Sequence, residues 1–239
     1  MTAVAEIWLL RHGEVSSYDG DQGLSERGIA QARTAAAELA GALRDAPVDL
    51  RHAPSGRATG TAEHFGAALR EHGVAVGDHV ADAGFQNFRV EIDGEVGAHD
   101  LMRPALTSAG APMSETLPAW AAECGRFTAI HDGGGDPIGW WLTQPTLALE
   151  PAAVVVRRFW RALGAVTAGG SRRTTVCTHS GPMRALAAHA LGHDLGEPEH
   201  LEALLVRLAG SEAGATAELS YRGETITLAV PRLEEPAWS

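Results

Sequence analysis

Val4-Ala5-Glu6-Ile7-Trp8-Leu9-Leu10-Arg11-His12-Gly13-Glu14 reads as an apolar β-strand, Glu6 its one charge, that halts at an arginine and a histidine. A strand this early in an α/β chain ends outside the carboxyl edge of the sheet, where such folds bind their ligands. Arginine there grips an oxyanion through two hydrogen bonds, and a neutral imidazole beside it can serve as a nucleophile. Gly13 lets the backbone approach whatever is bound.

Outward from this strand the pattern alternates. Ser25 is placed to cap a helix whose apolar face runs through Ile29, Ala32, Ala36, Leu39, Ala40 and Leu43. Pro47 to Leu50 reads as a second strand, Gly56 to Glu71 as a second helix and Val74 to Val80 as a third strand. Regular order breaks down from Ala81 to Thr146, where a glycine run at 133–135 signals a loop and helices are expected near Ser114 to His131. It resumes with a helix over Pro151 to Thr167, a β-branched strand over Thr174 to Thr178, a helix over Pro182 to Leu191 and strands over Thr216 to Tyr221 and Glu224 to Val230. A hairpin is expected around Arg222-Gly223. These elements predict an α/β chain, a three-layer α/β/α sandwich with a mostly parallel central sheet. The reading is one domain over residues 1–239, with 81–146 a helical cap insertion over the sheet. Phe85, Phe88, Trp120, Trp140 and Trp141 could wall a site under that cap or simply fill core.

The formal net charge is −11 and there is no basic run, which argues against nucleic acid or an anionic membrane as partner. No stretch has the apolar length of a membrane span and no leader precedes the first strand, so a cytoplasmic protein is expected. All 19 basic side chains are arginine, so an anion site must be built from arginine, histidine and backbone amides. Cys124 and Cys177 lie far apart and read as buried thiols. The 11 histidines form no HExxH or Cys/His cluster, so neither metal nor cofactor is expected. The oligomeric state is left open.

A second strand end repeats the first. Thr174 to Thr178 delivers His179-Ser180-Gly181 and then a helix, whose N-terminal amides favour an anion. A third element, Pro54-Ser55-Gly56-Arg57, opens the second helix. Arginine at a helix N-terminus opposes the helix dipole, so Arg57 asks for a compensating anion.

With these motifs in this order, the chain resembles the histidine phosphatase superfamily, which includes the cofactor-dependent phosphoglycerate mutases. The likeness lies in Leu10 to Glu14, in Leu24-Ser25-Glu26-Arg27-Gly28 with Gln31-Ala32, in Pro54 to Ala58 with Thr61-Ala62, and in Thr178 to Gly181 with Arg184-Ala185-Leu186. The resemblance implies that His12 is the nucleophile that becomes phosphorylated. It implies that Arg11 and Arg57 hold the phosphoryl oxygens and that His179 completes the phosphate pocket. Neighbouring arginines disfavour the imidazolium, which keeps His12 neutral and nucleophilic. Activity should fall at low pH as His12 or His179 gains a proton.

The resemblance departs at Phe85-Gln86-Asn87-Phe88-Arg89, where Gln86 stands in the slot of the family's general acid, a glutamate. Glutamine cannot donate a proton as an acid. Glu14, Asp82, Glu91 and Glu95 are the candidate replacements. Val15 and Tyr18 stand where many members have threonine and asparagine, and Ser180 replaces a common glycine. Leu24 follows Glu14 closely, without the long loop of the mutases, which disfavours a mutase. The expected activity is metal-independent hydrolysis of a small phosphorylated metabolite through phosphohistidine. A repurposed biosynthetic enzyme or a non-catalytic phospho-ligand binder on the same pocket are the alternatives that Gln86 favours.

Overall fold

The computed structural model describes residues 4–17, 20–21, 23–109, 118–211 and 214–231. Tyr18, Ser114 and the expected start of the helix near it lie outside them. A seven-stranded sheet carries the chain. Its strands are β1 (Ala5–Arg11), β2 (Val48–His52), β3 (Val76–Ala81), β6 (Arg173–Thr178), β7 (Ala203–Leu208), β8 (Thr216–Tyr221) and β9 (Glu224–Ala229). Between β3 and β6 in sequence lies a separate hairpin of β4 (Val90–Ile92) and β5 (Glu95–Gly97).

The spatial order is β3-β2-β6-β1-β7-β8-β9. From β3 through β1 all neighbours are parallel, so the centre is the parallel sheet the alternation predicts, while β7, β8 and β9 continue it antiparallel. β1 is sandwiched between β6 and β7 and is covered on both faces. Ile7 and Leu9 belong to one core and Leu10 to the other, a division set by the two-residue period of a strand. The helices α1 (Glu26–Leu43) and α2 (Gly56–Glu71) cover one face, and α6 (Ala152–Ala168) and α7 (Ser180–Leu191) cover the other. These are the three layers.

β7 is a strand that the sequence pattern does not signal. Its apolar run, Ala203 to Val206 before Arg207, lacks strict alternation and cannot be told from a buried helix segment by periodicity alone. Its consequence is large, because it enters the sheet beside β1 through Leu201, whose N–H donates to the Arg11 carbonyl at 3.0 Å. Leu201 adopts φ 62°, the left-handed region that costs a non-glycine residue about 1–2 kcal/mol. That turn sets His200 and the preceding Glu197-Pro198 against the end of β1.

Between β3 and α6 the chain forms the β4–β5 hairpin, α3 (Met102–Ser108), α4 (Ala119–Asp132) and α5 (Pro137–Thr143). Phe85, Phe88 and Trp141 are fully buried there, Phe88 stacking on Trp141 at 4.6 Å between centroids, and Trp120 is also buried. These aromatics are core rather than the wall of a site. The segment is anchored by Glu150, which is 0% exposed and pairs with Arg89 at 3.0 Å and Arg158 at 3.1 Å. Arg158 in turn donates to the carbonyls of Gly84, Gln86 and Asn87, fixing the loop after β3. Removing one partner of a buried ion pair leaves the others' charge uncompensated, at a cost of about 3–5 kcal/mol. Glu150→Ala is therefore expected to lower the urea midpoint by an amount equivalent to that cost. A shift below about 1 kcal/mol would show that water reaches Arg158 and replaces the carboxylate.

Cys124 and Cys177 are both buried and unbridged. No helix among the described residues is long and apolar enough to cross a membrane.

Candidate active site

The site is assembled by short-range hydrogen bonds among the motifs. Ser25 caps α1 by accepting from the Gly28 N–H at 3.1 Å, and its own N–H donates to the Glu14 carbonyl at 2.9 Å. Gln31 accepts from the Glu14 N–H at 2.9 Å. A side chain at Gly28 would collide with the Glu14 carbonyl, and one at Gly13 would come within 2.7 Å of the Gly28 oxygen. Both positions therefore need glycine so that the loop after β1 can lie against the first turn of α1. Thr61 on α2 accepts from the Gly13 N–H at 3.0 Å and donates to the Arg57 carbonyl at 2.7 Å, joining that loop to α2. The motif residues outside the pocket are thus its scaffold.

The four residues expected at the pocket do meet. Arg11, His12, Arg57 and His179 line one cavity of about 470 Å³. The His12 and His179 rings lie 5.3 Å apart between centroids, and both side chains are 3% exposed. His12 Nδ1 lies 2.8 Å from the Gly13 carbonyl, which can only accept, so Nδ1 carries the hydrogen and Nε2 the lone pair. Burial, then Arg57, pushes the His12 pKa well below the ordinary histidine value, against the opposing hydrogen bond to Gly13. Burial, Arg57 and His12 do the same to His179. Both imidazoles are neutral at pH 7.

Arg57 is 3% exposed, and its Nε makes no hydrogen bond among the described residues. The compensating anions that its helix position asks for are Asp100, at 2.8 Å, and Asp21, at 3.7 Å. Asp21 also accepts from the Gly56 N–H at 2.7 Å, seating a carboxylate on the N-terminus of α2. Arg11 reaches Glu197 at 3.2 Å and the Pro198 carbonyl. The buried Nδ1 of His179 likewise makes no hydrogen bond among the described residues. Buried polar groups that converge with unused hydrogen-bonding capacity mark a place for a polar ligand.

The candidate proton donors are placed elsewhere. Glu14 accepts from Ser25 Oγ at 3.0 Å and faces Arg27 at 3.4 Å, so it braces the α1 junction. Asp82 caps the turn at Ala83–Phe85 through Gly84 and pairs with Arg51 at 3.0 Å. Glu91 lies on β4 and Glu95 on β5, and none of the four lines the cavity. Gln86 borders a small recess beside the cavity, next to Ser55, His99, Asp100 and His179.

Other residues come to the cavity without a sequence signal. His99 and Asp100 sit on a one-turn helix before α3, and Asp136 on the turn before α5. Asp136 is held by Arg184 on α7 at 2.5 Å. His200 stands 5.9 Å from His12, its pKa lowered to about 4 by burial and then by Arg11. The sole cue was that this chain is rich in histidine and acid. Nothing in their spacing could say which of them reach β1.

The lowered histidines have a consequence for stability. His12, His99, His179 and His200 all bind protons less readily folded than unfolded. The stability they contribute is complete above the unfolded value near pH 6.5 and is lost as pH falls below it. The melting temperature should hold steady above pH 6.5 and then drop, each histidine adding up to about 1.4 kcal/mol per pH unit. A melting curve flat down to pH 5 would mean these rings are hydrated.

Two strand-end histidines and two arginines thus line one cavity at the carboxyl edge of the parallel strands of an α/β protein. The sequence model of the histidine phosphatase superfamily (branch 1) matches residues 7–88 and 122–217, more than half of the chain, and the chain belongs to that superfamily. A search of curated proteins found no match. Among solved structures, a mycobacterial glucosyl-3-phosphoglycerate phosphatase aligns with TM-score 0.57 at 20% identity, covering 91% of this chain and 98% of that one. Bacillus stearothermophilus YhfR aligns with TM-score 0.56 at 18% identity, covering 92% and 97%. A phosphoglycerate mutase from Bacillus anthracis aligns with TM-score 0.52 at 16% identity, covering 95% and 93%. At these identities the likeness is one of fold.

Proposed function

We propose that the protein is a metal-independent phosphomonoesterase that hydrolyses a small phosphorylated metabolite through phosphohistidine on His12. One observation carries the reading: a buried, neutral His12 whose Nδ1–H is tied to Gly13, beside two arginines. In-line attack needs the nucleophilic nitrogen unprotonated and positive groups around the equatorial oxygens. Arg11 and Arg57 supply that charge, and His179 adds a hydrogen-bonding group on the same phosphoryl.

The cavity also bears on the substrate. Its three arginines, Arg11, Arg57 and Arg103, are matched by three carboxylates, Asp100, Asp136 and Glu197. Met102, Phe127 and Ile138 supply apolar surface. Such a balance suits an ester with one phosphate on a neutral, partly apolar alcohol better than a multiply anionic phosphoglycerate. It supports hydrolysis over mutase chemistry, as does the short link between Glu14 and Leu24.

The test is turnover of an activated aryl phosphate with quench-flow sampling. Inorganic phosphate should appear in step with the phenol, and the protein should transiently carry acid-labile phosphate. Product formed without phosphate release would instead indicate a biosynthetic group transfer. No turnover of any ester in a broad panel would reduce the protein to the phospho-ligand binder that Gln86 favours.

A further inference from the structure

Gln86 leaves the leaving alcohol without an acid, yet a carboxylate stands beside it on another element. The turn His99–Leu101 places Asp100 in the same recess that Gln86 borders and on the wall of the His12 cavity. Its Oδ1 lies 2.8 Å from Arg57 Nη1, so it reaches the guanidinium that would hold the phosphoryl oxygens. The other two carboxylates of the cavity are committed elsewhere. Asp136 is clamped by two nitrogens of Arg184, at 2.7 and 2.5 Å, and by the Gly139 N–H. Glu197 is 44% exposed and lies between Arg11 and Arg184.

We propose that Asp100 is the proton donor to the leaving alcohol, and that a bound phosphoryl group itself brings about its protonation. The proposal rests on the phosphohistidine reading above.

In the free protein Asp100 is ionised: burial acts to raise its pKa, but His99 and Arg57 together outweigh it. Around it stand Arg57 from α2, His99 on its own turn and, across the cavity, His12, His179 and Arg103, while Asp21 shares the same guanidinium nitrogen. A phosphomonoester dianion would draw Arg57 onto its own oxygens and set two negative charges beside the carboxylate. Like charge disfavours ionisation, so Asp100 takes up a proton. The proton can arrive with the substrate, since a phosphomonoester loses its second proton near pH 6. Monoanion with carboxylate and dianion with carboxylic acid hold the same number of protons.

In the first step the His12 Nε2 lone pair forms the N–P bond and the P–O bond to the alcohol breaks. That electron pair stays on the oxygen, which takes the proton from Asp100. Alcohol leaves, with phosphohistidine and the Asp100 carboxylate behind. In the second step water attacks phosphorus and gives its proton to Asp100, and the N–P electron pair returns to Nε2. Phosphate then departs with neutral His12 restored.

Asp100→Asn tests this on a series of esters with leaving groups from nitrophenol to a primary alcohol. The rate loss should grow along the series, reaching on the order of 10²–10⁴-fold for the alkyl ester, the usual value of a general acid. Inorganic phosphate should bind the variant at least as tightly as wild type, because Arg57 no longer has an internal competitor. Calorimetric titration of phosphate well above its second pKa, where the free ligand is dianionic and brings no proton, should find proton uptake from buffer in wild type and none in the variant, in two buffers of different ionisation heat. A uniform loss for all leaving groups with weakened phosphate binding would make Asp100 a mere support for Arg57 and overturn the proposal. So would the leaving-group trend appearing in Glu197→Gln instead. If wild type hydrolysed no ester, the phosphatase reading would fall, and the calorimetric arm would still decide whether Asp100 protonates.

Discussion

His12→Ala is expected to abolish acid-labile phosphate on the protein and to lower turnover by on the order of 10⁶-fold, the scale of losing a covalent nucleophile. The effect is large because no neighbour can replace it. His179, 5.3 Å away, accompanies it in the pocket, but its Nε2 is 3.3 Å from Ser55 Oγ on the α2 side. The fold should survive the change, since the hydrogen bond between His12 Nδ1 and Gly13 is local and the neutral ring carries no charge whose loss would strand a partner. Equal labelling of wild type and His12→Ala would remove His12 from the mechanism.

Arg57→Ala is expected to cost on the order of 10³–10⁵ in kcat, the value of an arginine that neutralises charge on a transferring phosphoryl group. Arg57→Lys should recover only part, because an ammonium lacks the fork that meets two oxygens at once. A second readout separates this role from simple packing. Arg57 is the second largest cause, after burial, of the lowered pKa of both His12 and His179. Removing it should let both rings protonate more readily, so the acid limb of the rate profile, well below pH 6.5 in wild type, should move up toward 6.5. An acid limb that stays in place would show that burial alone keeps His12 neutral.

The legible part of this site is the part made by neighbours in sequence. Arg11 and His12 leave β1 together, Ser25 caps α1, and Arg57 opens α2. Gly13, Gly28, Gln31 and Thr61 are readable for the same reason: each makes a bond or a close approach that a short motif can encode. Of the carboxylates the sequence offers as proton donors, Asp82 caps a turn, Glu14 braces the α1 junction, and Glu91 and Glu95 lie on β4 and β5, away from the cavity. Asp100 reaches Arg57 across 43 residues of sequence, through the packing of the segment between β3 and α6, and no periodicity records such an approach.

β7 makes the same point for the fold. Its apolar run carried no alternation, yet it decides that half of the sheet is antiparallel and that Glu197 and His200 stand against Arg11 and His12.

The sequence by itself determined the parallel centre of the sheet and singled out Arg11, His12, Arg57 and His179, which line one cavity. Strand ends, caps and glycine contacts follow from the order of a few adjacent side chains. Only the tertiary structure decided which carboxylate meets which arginine. That outcome depends on through-space charge and burial between segments that are remote in the chain.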